Sequence, residues 1–329
     1  VKSSLFHRHN LPEQIDSDSS IGIVLTSTRR FAHLLDNSGA VILGTLASRK
    51  LEVAVGDYVE FQARTVSSDE TSAEIIKILD RTNLLKRSYE RKTKLLAANL
   101  DMLFIVTAPP PLCNLLAIDR VLCAATSESI PVTIIANKAD LCTYSELEDI
   151  ISYYEKISIP VLRTSALTEK GLSDIRNLVS DESNRIFAFA GISGVGKSSL
   201  IKAMFPNLVI RTGNVSEKTG QGKQTTSSAQ GHPLSFEIKD SSQSESIQSI
   251  LIDLPGIQQY GVSHLAIENI QRGMPDIDEQ AQSCRFSDCT HDKEPGCTVK
   301  QALQSGIIPQ SRFDSYQDMR KEILNHTSY

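Results

Sequence analysis

The stretch Ile134-Ile135-Ala136-Asn137-Lys138-Ala139-Asp140 ends in an N-K-x-D string, and Gly191-Ile192-Ser193-Gly194-Val195-Gly196-Lys197-Ser198 is a complete G-x-x-x-x-G-K-S string. The first reads as a buried strand running into a loop that recognises guanine. The second reads as a loop that wraps phosphates. Their order decides the fold. In ordinary small GTPases the phosphate loop comes first. Here the base-reading string precedes it, so the same sheet is expected with the chain opened at a different point, a circular permutation.

The surroundings of each string carry the chemistry further. Gly191–Ser198 follows the apolar run Ile186–Ala190 and opens a helical pattern through Met204. Its glycines let backbone amides turn inward around phosphates, and the helix N-terminus adds partial positive charge. Lys197 is the candidate to bridge β- and γ-phosphate oxygens and Ser198 to ligate Mg2+, with Ser199 beside them as a further nucleotide contact. Asp253-Leu254-Pro255-Gly256 ends the run Ser249–Ile252. That places Asp253 to hold Mg2+ and the Gly256 amide to sense the γ-phosphate. The Asp140 carboxylate can accept the N1–H and 2-amino hydrogens of guanine, a donor pair that adenine lacks. Lys138 is expected to pack its stem along the base plane, between Asn137 and Ala139 of the same string. Thr164-Ser165-Ala166 ends the next strand and offers a backbone N–H to guanine O6 from Ser165 or Ala166. Thr225 and Thr226 lie in a polar Gly/Ser/Thr/Gln-rich segment, Gly213–Ser246, and are candidates to complete the Mg2+ shell in a nucleotide-sensing switch.

Apolar runs at Met102–Val106, Pro131–Ala136, Val161–Leu162, Ile186–Ala190 and Ser249–Ile252 alternate with helical patterns at Ala117–Thr126, Tyr144–Lys156, Leu172–Leu178 and Lys197–Met204. Such alternation predicts a doubly wound parallel sheet over residues 99–262. Ahead of it, Ile21–Thr26, Phe31–Leu35, Val41–Leu46, Tyr58–Ala63 and Ala73–Ile78 read as short strands over residues 20–85. Five strands fit an OB-type barrel, with an SH3-like barrel as the alternative. Residues 86–98 are expected to be a basic linker. Within it, Lys86–Lys94 carries five basic residues, one acid and one aromatic, and reads either as a solvated stretch or as a phosphate-contacting strip.

Residues 263–329 show helical pattern, an amphipathic tail from Asp314 to Asn325, and the cluster Cys284-x4-Cys289-x-His291-x5-Cys297. Three thiolates and one imidazole make a closed tetrahedral set, which suits one structural zinc and leaves no open position for a substrate. The remaining cysteines, Cys113, Cys123 and Cys142, are scattered, as expected of free thiols in a reducing compartment rather than a disulfide framework.

Composition bounds these readings. The 329 residues, 40% apolar and 22% charged, suit two or three globular domains and exclude disordered and collagen-like classes. A net charge of −5 excludes a wholly basic surface but leaves room for a local basic patch. No apolar run reaches the roughly 18 residues that suggest a membrane-spanning helix, so a soluble protein without a membrane partner is expected. Val1 stands where an initiator Met is expected, so an upstream segment is expected to have been removed. Residues 1–19 are polar and Ser-rich with no apolar signal core, and read as the remnant of a transit peptide or as an arbitrary boundary.

Together the residues resemble a known family, the small-ribosomal-subunit-dependent GTPases called RsgA or YjeQ. The matching pieces are Asn137–Asp140, Gly191–Ser198, the run Val215–Thr226, Asp253–Gly256 and Cys289–Cys297, and the resemblance spans about residues 20 to 325. It implies a multi-domain chain: an N-terminal OB-type β-barrel, a central α/β circularly permuted P-loop GTPase and a C-terminal, mostly helical zinc-binding domain. It further implies a Mg2+-dependent hydrolase of GTP to GDP that acts in late maturation of the small ribosomal subunit. The barrel and zinc domain would bind ribosomal RNA, and hydrolysis would be stimulated by the subunit and coupled to release. A monomer is expected, in the cytoplasm if bacterial, or in the chloroplast stroma or mitochondrial matrix if cut from an organellar precursor. The chain departs from the family at Gln224, where His is common, and at Leu254, where Thr is common. Ile257 follows Gly256 where Ras-like GTPases carry a water-orienting Gln, so slow intrinsic turnover is expected until the subunit orders the 213–228 loop. The alternative is an RNA-binding assembly factor that uses GTP as a conformational ligand with little turnover.

Overall fold

A computed structural model describes residues 18–67, 70–89, 92–141, 143–180, 185–206, 208, 228–236 and 247–327. Five strands come first: β1 (Ser19–Ser27), β2 (Phe31–Asp36), β3 (Val41–Leu46), β4 (Tyr58–Ser67) and β5 (Glu70–Ile78). They close a barrel in the order β1-β2-β3-β5-β4, with β1 returning to pair antiparallel with β4 and β3 pairing parallel with β5. This is the OB-type arrangement, so the SH3-like alternative falls. Val24, Leu34, Val59, Phe61 and Ile75 fill the interior. On β1 the run Ile21–Leu25 is buried at every residue, not every second one. Its other face packs into the large core shared with the rest of the molecule, through Ile21, Ile23 and Leu25.

The expected basic linker is in fact a β-hairpin, β6 (Leu84–Tyr89) paired with β7 (Lys92–Ala98). The charges hide a buried set, Leu85, Leu96, Ala97 and Ala98, that anchors the hairpin. Charge density was a misleading guide because a hairpin needs only one apolar side. Backbone bridges join Ala97 to Val55 of the barrel and Ser88 to Gly261.

The central sheet has six strands: β8 (Met102–Thr107), β9 (Val132–Ala136), β10 (Val161–Arg163), β11 (Ile186–Gly191), β12 (Gln230–Phe236) and β13 (Ile247–Asp253). Their order is β10-β9-β8-β11-β13-β12, parallel except for β12. Leu103–Val106 and Ile186–Gly191 are buried throughout, as expected for strands covered on both faces. The crossover helices are α1 (Leu115–Ser127), α2 (Tyr144–Lys156), α3 (Leu172–Ser180) and α4 (Lys197–Met204). Asn114 starts α1 by accepting from Ala117 N at 3.0 Å. The edge strand β12 corrects the expectation of a continuous loop over Gly213–Ser246. Its Gly, His, Pro and Ser content argues against a strand, but an edge tolerates Pro233 because one side of the backbone needs no partner.

Helices α5 (Ile267–Arg272), α6 (Pro275–Ala281), α7 (Thr298–Gln304) and α8 (Gln310–Thr327) complete the described chain. They are bound to the sheet domain by buried charge. Arg312 of α8 bonds Asp276 of α6 at 2.6 and 3.1 Å and also pairs with Asp119 of α1. Tyr154 donates to Asp119 at 2.7 Å and Tyr153 to Asp276 at 2.9 Å. Among the described residues no helix is long and apolar enough to cross a membrane.

Candidate functional site

The ends of β9, β10 and β11 converge. Asn137 is 1% exposed, and its Nδ2 donates to Val195 O of the phosphate loop at 2.9 Å. Its Oδ1 accepts from Thr164 Oγ1 at 3.2 Å, and its backbone N–H donates to Thr107 O at 2.9 Å. One amide side chain thus staples the base-reading string, the end of β10 and the phosphate loop together. Gly196 sits against it: a Cβ there would lie 2.5 Å from Asn137 Nδ2, and φ is +92°, so glycine is needed for both space and conformation. The same Cβ position lies 3.8 Å from Lys138 Cε, which puts the lysine stem beside the loop.

Asp140 is exposed at the mouth. Ser165 is fully buried and donates from Oγ to Asp140 Oδ1 at 2.5 Å, while its oxygen accepts from Leu167 N at 3.2 Å and Thr168 N at 3.1 Å. The orientation of the carboxylate is therefore fixed by the protein itself. Ala139 N–H goes to Thr164 O, and Ser165 N–H to Lys170 O, which leaves Ala166 to offer the amide expected for guanine O6. Leu167 follows at 81% exposure, an apolar side chain at the same rim that the sequence did not single out.

At the phosphate end, Gly191 closes β11, and Ile192, Ser193, Gly194 and Val195 lead to Gly196, which caps α4 without a side-chain hydrogen bond. The first amides of α4 therefore have no side-chain cap competing for them. Lys197 Nζ pairs with Asp253 Oδ1 and with Leu254 O, and Ser198 and Ser199 are exposed beside it. Gly256 is open, with no atom of the described residues within 4 Å of an added Cβ, and its carbonyl accepts from Arg87 of the hairpin at 3.4 Å. Ile257 is 2% exposed and belongs to the large core with Leu254 and Tyr260. It points away from the open loop and offers nothing to a water. Thr225, Thr226 and Gln224 lie outside the described residues, as does Cys142. A residue that the sequence did not single out is His232 on β12, 8% exposed, lowered in basicity by burial against the opposing pull of Asp253. It was hidden because its segment has the composition of a loop.

The residues fit a magnesium nucleotide on three counts: a cradle that only glycine leaves open, a buried carboxylate whose described side-chain partner is the phosphate-loop lysine, and an exposed serine next to it.

The cluster in the C-terminal helices is a candidate metal centre. One ligand atom each from Cys284, Cys289, His291 and Cys297 lies within 4.8 Å of the others. Cys284 and Cys297 sulfurs are 3.9 Å apart, and His291 Nδ1 is 3.7 and 3.4 Å from them. A tetrahedral zinc with bonds of about 2.3 Å to sulfur sets neighbouring sulfurs about 3.8 Å apart, so the cluster fits that ion. Glu294 shapes the loop by accepting from the backbone of Thr290, Asp292 and Lys293, and its bond from the Thr290 hydroxyl is the chief reason its carboxyl is pulled down to about 2.

Comparison with known proteins meets this geometry. Residues 78–263 match the family model described as RsgA GTPase. The small ribosomal subunit biogenesis GTPase RsgA of Mannheimia succiniciproducens is 32% identical over 326 residues, covering 96% of this chain and 89% of the relative. The protein of the same description from Bacteroides fragilis is 34% identical over 277 residues, covering 82% and 84%. The crystal structure of YjeQ from Thermotoga maritima superposes with a TM-score of 0.65 at 27% identity, covering 93% of this chain and 99% of that one. YloQ, described as a circularly permuted GTPase, gives a TM-score of 0.62 at 26% identity, covering 97% and 98%.

Proposed function

The chain belongs to the RsgA GTPase family and is a GTP hydrolase, and from that premise we propose that it acts in late maturation of the small ribosomal subunit. Its relatives are described as biogenesis GTPases of that subunit, and they cover most of this chain. The observation that carries the site reading is the Asn137 staple, which brings a guanine-reading carboxylate and a phosphate-binding lysine to one end of one sheet.

In this reading Asp140, pre-set by Ser165, accepts the N1–H and 2-amino hydrogens of guanine, and Lys138 and Leu167 border the base. The Ala166 amide donates to O6. Lys197 leaves Asp253 for β- and γ-phosphate oxygens, while Gly191 to Gly196 and the first amides of α4 wrap the phosphates. Ser198 and Asp253 hold Mg2+, with Thr225 and Thr226 completing its shell. The ion, when bound, neutralises charge developing on the transferred phosphoryl group. Zinc at Cys284, Cys289, His291 and Cys297 serves the fold of the C-terminal helices and takes no part in hydrolysis.

The buried Ile257 supports dependence on an activator, because the position after Gly256 brings no polar group to the attacking water. Ribosomal RNA is the proposed contact of the barrel and the zinc domain. The outward face of β2 and β3 supports this, with Phe31 at 47% exposure directly after the exposed Arg29 and Arg30, and Leu43 at 46% on the neighbouring strand. GTP turnover measured with and without purified small subunits tests the proposal. Slow turnover alone and a rise of about 100-fold or more with subunits is expected, given that activators of other GTPases give roughly 10³–10⁵-fold. A rate indifferent to subunits overturns subunit dependence.

A further inference from the structure

The nucleotide site leaves one buried imidazole without a task. His232 pairs across the strands with Leu251, two residues before Asp253, and cross-strand partners project to the same face of a sheet. Leu251 and Leu234 share a core cluster with Leu200, Ile201 and Met204 of α4, so that face is the one α4 covers. The neighbouring Gly231 faces the other way, since a Cβ there would meet Leu25 and Val55 of the barrel. His232, Asp253 and the start of α4 therefore lie on one side of the sheet. His232 Nε2 is buried and has no hydrogen-bond partner among the described residues. Its residue is 8% exposed, so leaving that nitrogen unpaired would be costly.

Asp253 supplies the complementary need. It is 4% exposed, and Lys197 pairs with its Oδ1. The same ammonium cannot remain there and also serve the phosphates. Once it moves, a nearly dry carboxylate loses its cationic partner.

We propose that His232 is a positioning residue for the magnesium site: its Nε2 holds the second oxygen of Asp253, directly or through one water, and so fixes the direction in which that carboxylate presents itself to Mg2+. The inference rests on the nucleotide-site reading above. Groups that hydrogen-bond a metal-holding side chain from behind are typically worth about 10–100-fold in metal affinity. His232 is thus a determinant of how tightly Mg2+ is held, and through it of how long GDP stays, without touching either.

The test uses the full chain and a fluorescent GDP, with its release rate followed against free Mg2+. His232→Leu is expected to need about 10-fold more Mg2+ to slow release by half, with GDP affinity in EDTA within about twofold of wild type. His232→Gln, whose amide nitrogen falls near the position of Nε2, is expected to restore most of the Mg2+ response. An unmoved Mg2+ midpoint in His232→Leu overturns the proposal. So does an equal loss of GDP affinity in EDTA, which marks a merely structural role. Should His232→Leu fail to fold, the wild-type ring reports directly. Its nitrogen NMR signal, assigned by its loss in His232→Gln, is expected to move when Mg2+ joins the GDP complex, and a stationary signal overturns the proposal. Failure of the wild-type chain to bind GDP at all overturns the site reading and this inference with it, whereas binding with an unmoved midpoint overturns this inference alone.

Discussion

Asn137 and Ser165 act before any ligand does. Asn137 spends its whole side chain on Val195 and Thr164, and Ser165 fixes one oxygen of Asp140. In the proposed reading the base then meets a carboxylate whose orientation is already set. Exchanging that carboxylate for an amide should reverse the preference at the base. Asp140→Asn loses two hydrogen bonds to a charged group, worth about 1.5–3 kcal/mol each, so GTP affinity should fall by about 100-fold or more. Xanthosine triphosphate, which presents an oxygen where guanine presents the 2-amino group, should gain. Competition against a fluorescent GTP analogue measures both, and unchanged GTP binding would remove Asp140 from the pocket. Asp140 and Lys197 were nominated from the sequence because their proposed chemistry is carried by local strings. His232 was not, because its only signal is a neighbour on another strand.

The hairpin β6–β7 is the element whose place could not be foreseen. It grips the segment after Gly256. Ser88 exchanges backbone bonds with Gly261, and its hydroxyl accepts from His264 N at 3.0 Å and meets His264 Nδ1 at 2.9 Å. A Cβ on Gly261 would lie 2.4 Å from Ser88 O, so only glycine permits the approach. Burial, and then Lys86, push the His264 imidazole down to about 4 against the opposing pull of Glu322. Between the unfolded value of 6.5 and that folded value, the unfolded chain takes up a proton that the native chain refuses. Stability from the neutral ring is present above about pH 6.5 and drains as pH falls toward 4. His264→Asn keeps a hydrogen-bonding group near Nδ1 but cannot titrate. Its melting temperature should therefore fall less than that of wild type between pH 7.5 and pH 5, and equal falls would deny His264 any part in acid sensitivity. The strands and helices of the sheet domain were legible, Tyr144–Lys156 and Lys197–Met204 to the residue, because buried parallel strands and amphipathic helices write their pattern locally. A basic hairpin and a Pro-bearing edge strand do not.

For the whole molecule, the decisive contact is the buried charge cluster of Asp119, Arg312 and Asp276, which ties the C-terminal helices to the sheet. Arg312 is 2% exposed between two carboxylates, so Arg312→Met leaves two buried acids without their cation. The cost should be about 3–5 kcal/mol, read as a lowered urea midpoint, and a loss below about 1 kcal/mol would show that the carboxylates find other partners. The sequence by itself determined the permuted order of the nucleotide strings, the barrel by its strand count, and the Cys/His set, because each depends on residue types at short spacings. Only the tertiary structure decided that the hairpin clasps the segment after Gly256, that Ile257 turns into the core, that His232 shares a face of the sheet with Asp253 and that Arg312 locks two domains together. Those pairings join residues that are far apart along the chain, and which of many compatible partners meet is fixed by how buried faces pack, not by any pattern within one segment.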